Sequence, residues 1–517
     1  MYLVVLSMCF LCKSTCAATV QSSSDDQVGV EVSVYNSNIG LIKELRKVQF
    51  SQGEGEIRFM DVPSGIIPET VYVQSRAGGD TFAVYEQNYE YDLLNEQKLL
   101  SKYIGKTIKL VDVKKESGAK EVVEAVLLNN GCTGAGISFP GGTRNEGEVS
   151  SCQQVLKIKG EIYLGYPGYK VLPDIPEGMV LRPTLSWLYR TAQPKEQTLE
   201  VSYLTNNITW KADYVGVLNK DDALIDFSGW VTVDNNSGAV YKNAKLKLIA
   251  GEINRVQPAF PMDGMAAAGM MDMAKSFRAA EPQFKQQQLF EYHMYDLQRP
   301  TTLKNQQSKQ IQLLEALKVG VQKEYIVSAR NAFRYGDTDN KVPVEVYVRF
   351  KNTKQNNMGM PVPAGTVRVY KRDNDDKVQF VGEDRIKHTP QDEDIKILLG
   401  KAFDVVAERR QTEARQVSPS TRDEAFMITV RNHKDKDVTV GIIESINQGG
   451  TVFENSHPFK KEDAFTIRFD VAVPKNGETT VKYRVRYKHQ GSVSMPFQPP
   501  VPQGAPASFE EDQETLR

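Results

Sequence analysis

The chain has 517 residues and carries 64 Lys and Arg against 65 Asp and Glu, a formal charge of −1. Charged residues at 25% and hydrophobic residues at 40% are the balance of a globular protein, and the length predicts roughly three domains. The near-zero charge excludes a general nucleic-acid binder, which needs a basic surplus, and five cysteines are too few for a disulfide-dense scaffold.

Residues 1–18 read as an export signal. Tyr2–Leu6 and Met8–Leu11 form an apolar run too short to span a bilayer, which takes about 20 residues, and Cys16 and Ala18 suit cleavage after Ala18. No Lys or Arg precedes the run, a departure from the usual pattern. A lipid anchor on Cys16 is the competing reading, weakened by Lys13 three residues before it. No later stretch is long and apolar enough for a membrane helix. The expected location is therefore the periplasm, the cell surface or the extracellular space. In such a compartment Cys132 and Cys152, which flank a Gly-rich polar segment, are expected to form a disulfide contributing about 3 kcal/mol. Two unpaired thiols are the alternative, and a zinc site lacks ligands.

Residues 28–90 read as an N-terminal β module, with Gly53–Gly55 as a hairpin turn between Val48–Phe50 and Ile57–Phe59. Residues 91–180 begin with a short helix around Leu93–Tyr103. Short strands follow at Ile108–Val113, Val122–Leu128 and Val155–Ile158, which suggests a small barrel-like module carrying the Cys/Gly loop. Pro173, Pro176 and Pro183 mark a linker. Period-two alternation then dominates, as in Leu199–Tyr203, Val344–Phe350, Phe465–Val473 and Val481–Tyr487. It predicts tandem antiparallel β-sandwich modules over 184–335 and 336–490. Pro474–Glu478, with its Asn-Gly pair, reads as a hairpin, and Asp373–Lys377 punctuates two further runs. Residues 258–288, rich in Met, Ala and Gln, read as a mobile loop, with partner contact as the alternative. Residues 495–517 are expected to stay unpacked. Trp187, Trp210 and Trp230 are read as core anchors. The fold class is mainly all-β.

Catalytic motifs are not found. The sequence has no G-x-S-x-G elbow, no HExxH helix, no P-loop and no dinucleotide fingerprint. Strand geometry would set Glu291 and His293 on one face, although a structural histidine is the stronger reading. Paired carboxylates could run glycoside hydrolysis, and candidates such as Asp213 or Asp226 lie near Trp210 and Trp230, but acidic residues are too abundant for this to discriminate. Asp373–Asp376 fits a hairpin tip better than a calcium loop. Asn207 and Asn235 head glycosylation sequons. No catalytic residue, cofactor or metal is assigned.

Further blocks carry a resemblance. They are Val34–Asn36, Leu41–Glu44, Leu199–Leu204, Trp210–Tyr214, Gly229–Val233 with Asn235–Gly238, and Tyr241–Ala244. Phe290–His293, Arg299–Leu303 and Pro361–Gly365 belong with them. In these the chain resembles an uncharacterised β-rich family whose C-terminal domain of unknown function is shared with mucoidy-inhibitor-A-like proteins. The resemblance covers most of the chain after the signal and is specific over 199–487. It implies tandem β modules and frequent export or envelope location, and it carries no catalytic residues. The chain departs from that arrangement in lacking a long coiled-coil insert and in its Gly/Cys insertion at 131–152. The expected function is a non-catalytic exported protein that binds an envelope or surface protein or glycan. A hydrolase of a surface polymer and an outer-membrane β-barrel are the alternatives.

Overall fold

The structure is a computed structural model. It describes residues 18–76, 82–113, 120–131, 153–166, 168–176, 178–192, 194–251, 253–254, 283–328, 341–446 and 450–488. The fold is all-β, with one α-helix among the described residues. Most of the expected export signal, Cys16 included, lies outside them, as do Cys132, Cys152 and the 495–517 tail.

Three sheets surround the first core. A four-stranded sheet runs Ala18–Ser22, Gly53–Met60, Thr184–Thr191, Phe82–Glu90. A larger sheet runs Phe284–Leu289, Tyr292–Leu297, Tyr241–Ala250, Gln27–Tyr35, Ile39–Gln49, Glu196–Asn206, Tyr72–Ser75, with Thr301–Leu303 also on Tyr241–Ala250. A five-stranded sheet runs Gln307–Gly320, Leu224–Asn235, Ile208–Leu218, Gly365–Arg372, Val378–Ile386. Alternation decides which side chains they bury. In Glu196–Asn206 every second residue from Gln197 to Thr205 is buried. Trp187 and Trp210 are anchors here, each with its indole N–H satisfied, by Gln87 Oε1 at 2.8 Å and the Ile249 carbonyl at 3.1 Å. Trp230 differs: it faces the other side of its strand and is only half-buried.

The second core lies between two further sheets. One runs Asp394–Lys401, Val344–Lys351, Gln322–Ser328, Val438–Ser445, Thr466–Val473, Lys460–Lys461. The other runs Lys341–Val342, Val405–Ser418, Thr421–Asn432, Gly477–Lys488, Gly450–Asn455. The six-stranded sheet joins the two cores. Val348, Phe350, Ile395 and Ile397 pack into the first, while Tyr325, Val327 and Val344 pack into the second.

The sheets do not follow chain-order modules. Gln27–Tyr35 pairs in parallel with Tyr241–Ala250, and Ile208–Leu218 pairs in parallel with Gly365–Arg372. The first core therefore draws on residues from Val30 to Ile397, across the sequence-based boundaries at 90, 184 and 335. Parallel partners need long crossovers, which local patterning does not reveal. Gly365 permits one of these pairings, because a Cβ there would collide with the Ala212 carbonyl and the Tyr214 ring.

Two turns expected to be hairpins are instead crossings between sheets. Thr466–Val473 pairs with Val438–Ser445, while Gly477–Lys488 pairs with Thr421–Asn432, so Asn476-Gly477 carries the chain from one layer to the other. Likewise Gly53–Gly55 lies inside a strand paired with Ala18–Ser22 and Thr184–Thr191, not with Ile39–Gln49. Both flanking strands bury one face, and stacking them across the core serves that face as well as pairing does. Asp373–Lys377 is a true hairpin tip, joining Gly365–Arg372 to Val378–Ile386.

The expected barrel-like module is an open five-stranded sheet ordered Glu161–Leu164, Val155–Ile158, Lys120–Asn129, Thr107–Val113, Tyr169–Val171. Helix Glu96–Lys102, capped by the Asn95 side chain on Lys98 N, covers one face, and Leu100 and Tyr103 close a small core. The loop predicted over 258–288 is too long at its end. Phe284–Leu289 forms a strand on Tyr292–Leu297, and residues 258–282 lie outside the described residues.

Three buried asparagines pin strand ends. Asn235, Asn352 and Asn432 are each at most 1% exposed. Asn432 donates from Nδ2 to the carbonyls of Lys436 (2.8 Å), Val473 (3.3 Å) and Pro474 (3.1 Å), and its Oδ1 accepts Lys434 N. Asn352 does the same with Met360, Thr389 and Pro390, accepting Gly359 N. Asn235 serves Ala239, Leu303 and Lys304, accepting Ser237 N and Oγ. Each ties a strand end, the following turn and a third segment. Asn432→Ala would leave several buried backbone groups unpaired and is expected to lower stability by about 3 kcal/mol in urea unfolding. The exposed Asn88→Ala should change it by less than about 0.5 kcal/mol. Equal effects of the two substitutions would contradict this role.

Candidate functional site

The least expected feature of the interior is a buried ion pair with a tyrosine, present once in each large core. In the first, Glu44 and Arg46 occupy core-facing positions of Ile39–Gln49. Arg46 donates from Nε (2.9 Å) and Nη2 (2.7 Å) to Glu44 Oε2, Tyr203 donates its hydroxyl to Glu44 Oε1, and the guanidinium lies 3.6 Å over the Phe59 ring. Arg46 Nη1 reaches the Ser22 and Met60 carbonyls, so this cation also ties the N-terminal strand Ala18–Ser22 in place. In the second, Arg409 donates to Glu444 from Nε and Nη2 at 3.1 and 2.9 Å. Tyr483 donates to Glu444 Oε2 at 2.5 Å, and Arg409 lies 4.2 Å over Phe426. Burial first, and then the Glu44 carboxylate, push the Tyr203 hydroxyl well above its usual range. Burial and Glu444 do the same to Tyr483. Burial would lower the Arg409 pKa, but the Glu444 hydrogen bonds and charge raise it overall. Every oxygen of both carboxylates is engaged, so the arrangement holds charge without offering a free carboxylate oxygen. Sequence reasoning missed both clusters. The signal was present in Ile42-Lys43-Glu44-Leu45-Arg46-Lys47-Val48, where charges stand at the apolar beat of the alternation.

A cleft of about 180 Å³ between the five-stranded and six-stranded sheets is lined by Leu218, Val346, Val348, Val381 and Leu399, with Asp222, Lys323 and Lys371 at its rim. Asp222 receives Lys323 Nζ at 2.9 Å and Lys371 Nζ at 2.5 Å. Burial tends to raise the Asp222 pKa, but the Lys371 and Lys323 hydrogen bonds outweigh it and the net shift is downward. One carboxylate thus serves both ammonium groups, and the cleft is smaller than an ordinary ligand pocket of about 300 Å³ or more. It is a strut across the junction: Asp222 sits in the turn after Ile208–Leu218, and Lys323 belongs to the six-stranded sheet. A second hollow, about 320 Å³, lies between helix Glu96–Lys102 and strand Tyr169–Val171.

The sequence-based candidates do not converge. Glu291 lies in the turn between Phe284–Leu289 and Tyr292–Leu297, away from the His293 face, and His293 Nδ1 meets Gln286 Nε2 at 2.9 Å. His433 is exposed in a turn. Asp213 and Asp226 are four residues apart along their paired strands, about 13 Å, too far for a carboxylate pair. Asp213 is instead tied to Arg368 at 3.3 Å, and Asp226 accepts Lys318 N. Asp373 Oδ1 accepts Asp375 N and Lys377 N, closing its own hairpin tip. Among the described residues no group of three or more His, Cys, Asp or Glu is placed to hold a metal. Asn235 is buried, so its sequon is closed to modification, while Asn207 is exposed at a turn with φ 62°. No family model matches the chain, and no curated protein is similar to it.

Two measurements check these assignments. Glu444→Gln leaves Arg409 unpaired and nearly buried and is expected to cost about 3–5 kcal/mol. Breaking the exposed Lys47–Glu196 pair should cost less than about 1 kcal/mol. Similar losses would contradict the buried-pair account. For Asp222 the folded-state pKa is depressed. Its stabilisation is therefore complete above the ordinary value of 3.8 and lost as pH falls through the folded value. Asp222→Asn should be less stable at neutral pH and lose less on acidification; parallel stability curves would contradict the strut.

Proposed function

We propose that the protein is an exported, non-catalytic β-domain protein that binds another component of a cell envelope or surface. The observation that carries this is the uneven placement of exposed apolar side chains. The large cores bury their aromatic residues, Trp187, Tyr203, Tyr214 and Phe469 among them. The insert sheet exposes Ile162 at 66%, Leu164 at 71% and Tyr169 at 70%. Exposed apolar residues elsewhere stand at turns, as Phe290 and Phe403 do, or on strands, as Tyr72, Tyr85 and Phe380 do. A concentration of exposed apolar side chains on one small sheet marks a contact site. Ile162 and Leu164 belong to an edge strand, whose unpaired backbone groups add a second means of contact.

Export is supported by the apolar N-terminal segment and by the resemblance to the uncharacterised β-rich family, which implies frequent export or envelope location. The strand Gly477–Lys488 weighs against the outer-membrane barrel reading. It turns Val481, Tyr483 and Val485 into a sandwich core, and its outward Arg484 and Arg486 pair with Glu413 and Asp423. Among the described residues each sheet is an open path. Among the described residues no helix is long and apolar enough to cross a membrane.

The test is fractionation with sequencing of the mature N-terminus, followed by pull-down from native envelope. The expected result is a chain beginning at Thr19 in an exported fraction that retains a partner. A chain keeping residues 1–18 in the cytosol, or pull-downs that repeatedly return nothing, would overturn the reading.

A further inference from the structure

One face of the insert sheet is covered by helix Glu96–Lys102, and the other has no layer packed on it among the described residues. Strand register fixes what that bare face presents. Leu164 stands opposite Val155, and Ile162 opposite Lys157, which in turn faces Val126. At the far side Val122 stands opposite Val111, and Val111 opposite Tyr169. Between these two apolar groups Lys109 lies between Glu124 and Val171. Lys120, opposite Val113, completes the face. All of the charged residues named here are exposed, and Val122 is 56% exposed.

Five strands at about 4.8 Å spacing, each about six residues of about 3.3 Å, give a face of roughly 24 by 20 Å. A half-apolar surface of that size is large enough to take one more layer of secondary structure. Its charge selects the partner. Among the described residues of this face, Lys109, Lys120 and Lys157 stand against Glu124, a surplus of two positive charges. A second copy of the same face would oppose that surplus with another, whereas carboxylates would neutralise it. A sheet face also suits a packed helix or strand better than a bilayer, which takes projecting tips or amphipathic helices.

We propose that this face docks an acidic amphipathic segment of a partner protein. Apolar side chains fill the Ile162–Leu164 and Val122–Tyr169 groups, and carboxylates reach Lys109 and Lys157. This rests on the binding role proposed above and names the partner's chemistry.

The experiment uses the full chain and a synthetic helical peptide with leucines on one face flanked by glutamates. The control peptide carries lysines in their place. Two variants are compared with the unaltered chain: Val122→Ser with Ile162→Ser, and Lys109→Glu with Lys157→Glu. All four positions are exposed, and unchanged thermal melting verifies folding. The expected result is at least tenfold tighter binding of the glutamate peptide than of the lysine peptide. The serine variant should lose at least tenfold in affinity, and the glutamate variant should reverse the preference, which a merely structural change would not produce. Equal affinity for both peptides, or binding unaltered in the serine variant, overturns the proposal. So does a concentration-dependent dimer abolished by the same substitutions, which assigns the face to a second copy. Co-sedimentation with phosphatidylcholine–phosphatidylglycerol vesicles, lost in the variants without peptide binding, assigns it to anionic lipid and also overturns it. An envelope partner retained by the serine variant removes this face and leaves the binding role standing. Peptide binding without any envelope partner does the reverse.

Discussion

A chain that crosses repeatedly between stacked sheets must bring irregular backbone through or beside a dry core, where every N–H and C=O needs a partner. Asn235, Asn352 and Asn432 meet that requirement by the same means. A side-chain amide offers two donors and an acceptor on one short stem, so it can hold a strand end, a turn and a neighbouring segment at once. The three sites lie at strand ends from which the chain leaves its sheet, and the six-stranded sheet that joins the two cores enters or leaves through two of them, Asn352 and Asn432. Without these clasps the crossings would carry unpaired carbonyls, and the alternation of buried and exposed side chains would lose its register.

The buried Glu–Arg–Tyr clusters follow a related logic. The first sets Glu44 and Arg46 on the inward face of one strand, the second joins Arg409 to Glu444 across two sheets, and each stacks its guanidinium on a phenylalanine. Two ions taken from water are costly unless every donor and acceptor is used, and here the carboxylates are fully engaged. Such clusters penalise misregistered packing more than they add to stability. They thus assist the asparagines in selecting one arrangement from many that similar strands would allow. The insert is built differently. Its core is small, it has neither an asparagine clasp nor a buried ion pair among its described residues, and it leaves one face uncovered. The contact surface proposed above lies on this insert.

Much of this was legible in the sequence. Period-two alternation located the strands of both large cores, and the cluster of leucines before Tyr103 located the helix, although Asn95 starts it later than the apolar pattern alone suggests. Asn476-Gly477 was misleading because a turn that tolerates positive φ suits a sheet crossing as well as a hairpin. Pairing is a property of distant partners, and nothing within Gly53–Gly55 or Pro474–Glu478 encodes whether the next strand lies beside the last or across the core. Parallel pairings such as Gln27–Tyr35 with Tyr241–Ala250 join residues more than two hundred positions apart and are invisible to local pattern. The buried charges were readable in principle, since Glu44 and Arg46 fall on the inward beat, as were the asparagines that close apolar strands. The bare face of the insert was not readable, because a half-apolar strand gives the same pattern whether its second face is covered or open.

The central claim is that buried asparagine clasps hold the sheet crossings closed, and native-state hydrogen exchange followed residue by residue tests it most directly. The account predicts that amides accepted by the clasps, Ser237, Gly359 and Lys434, exchange as slowly as the core strands around them although they lie in turns. Exchange at these three positions as fast as in the exposed Asp373–Lys377 tip would contradict it.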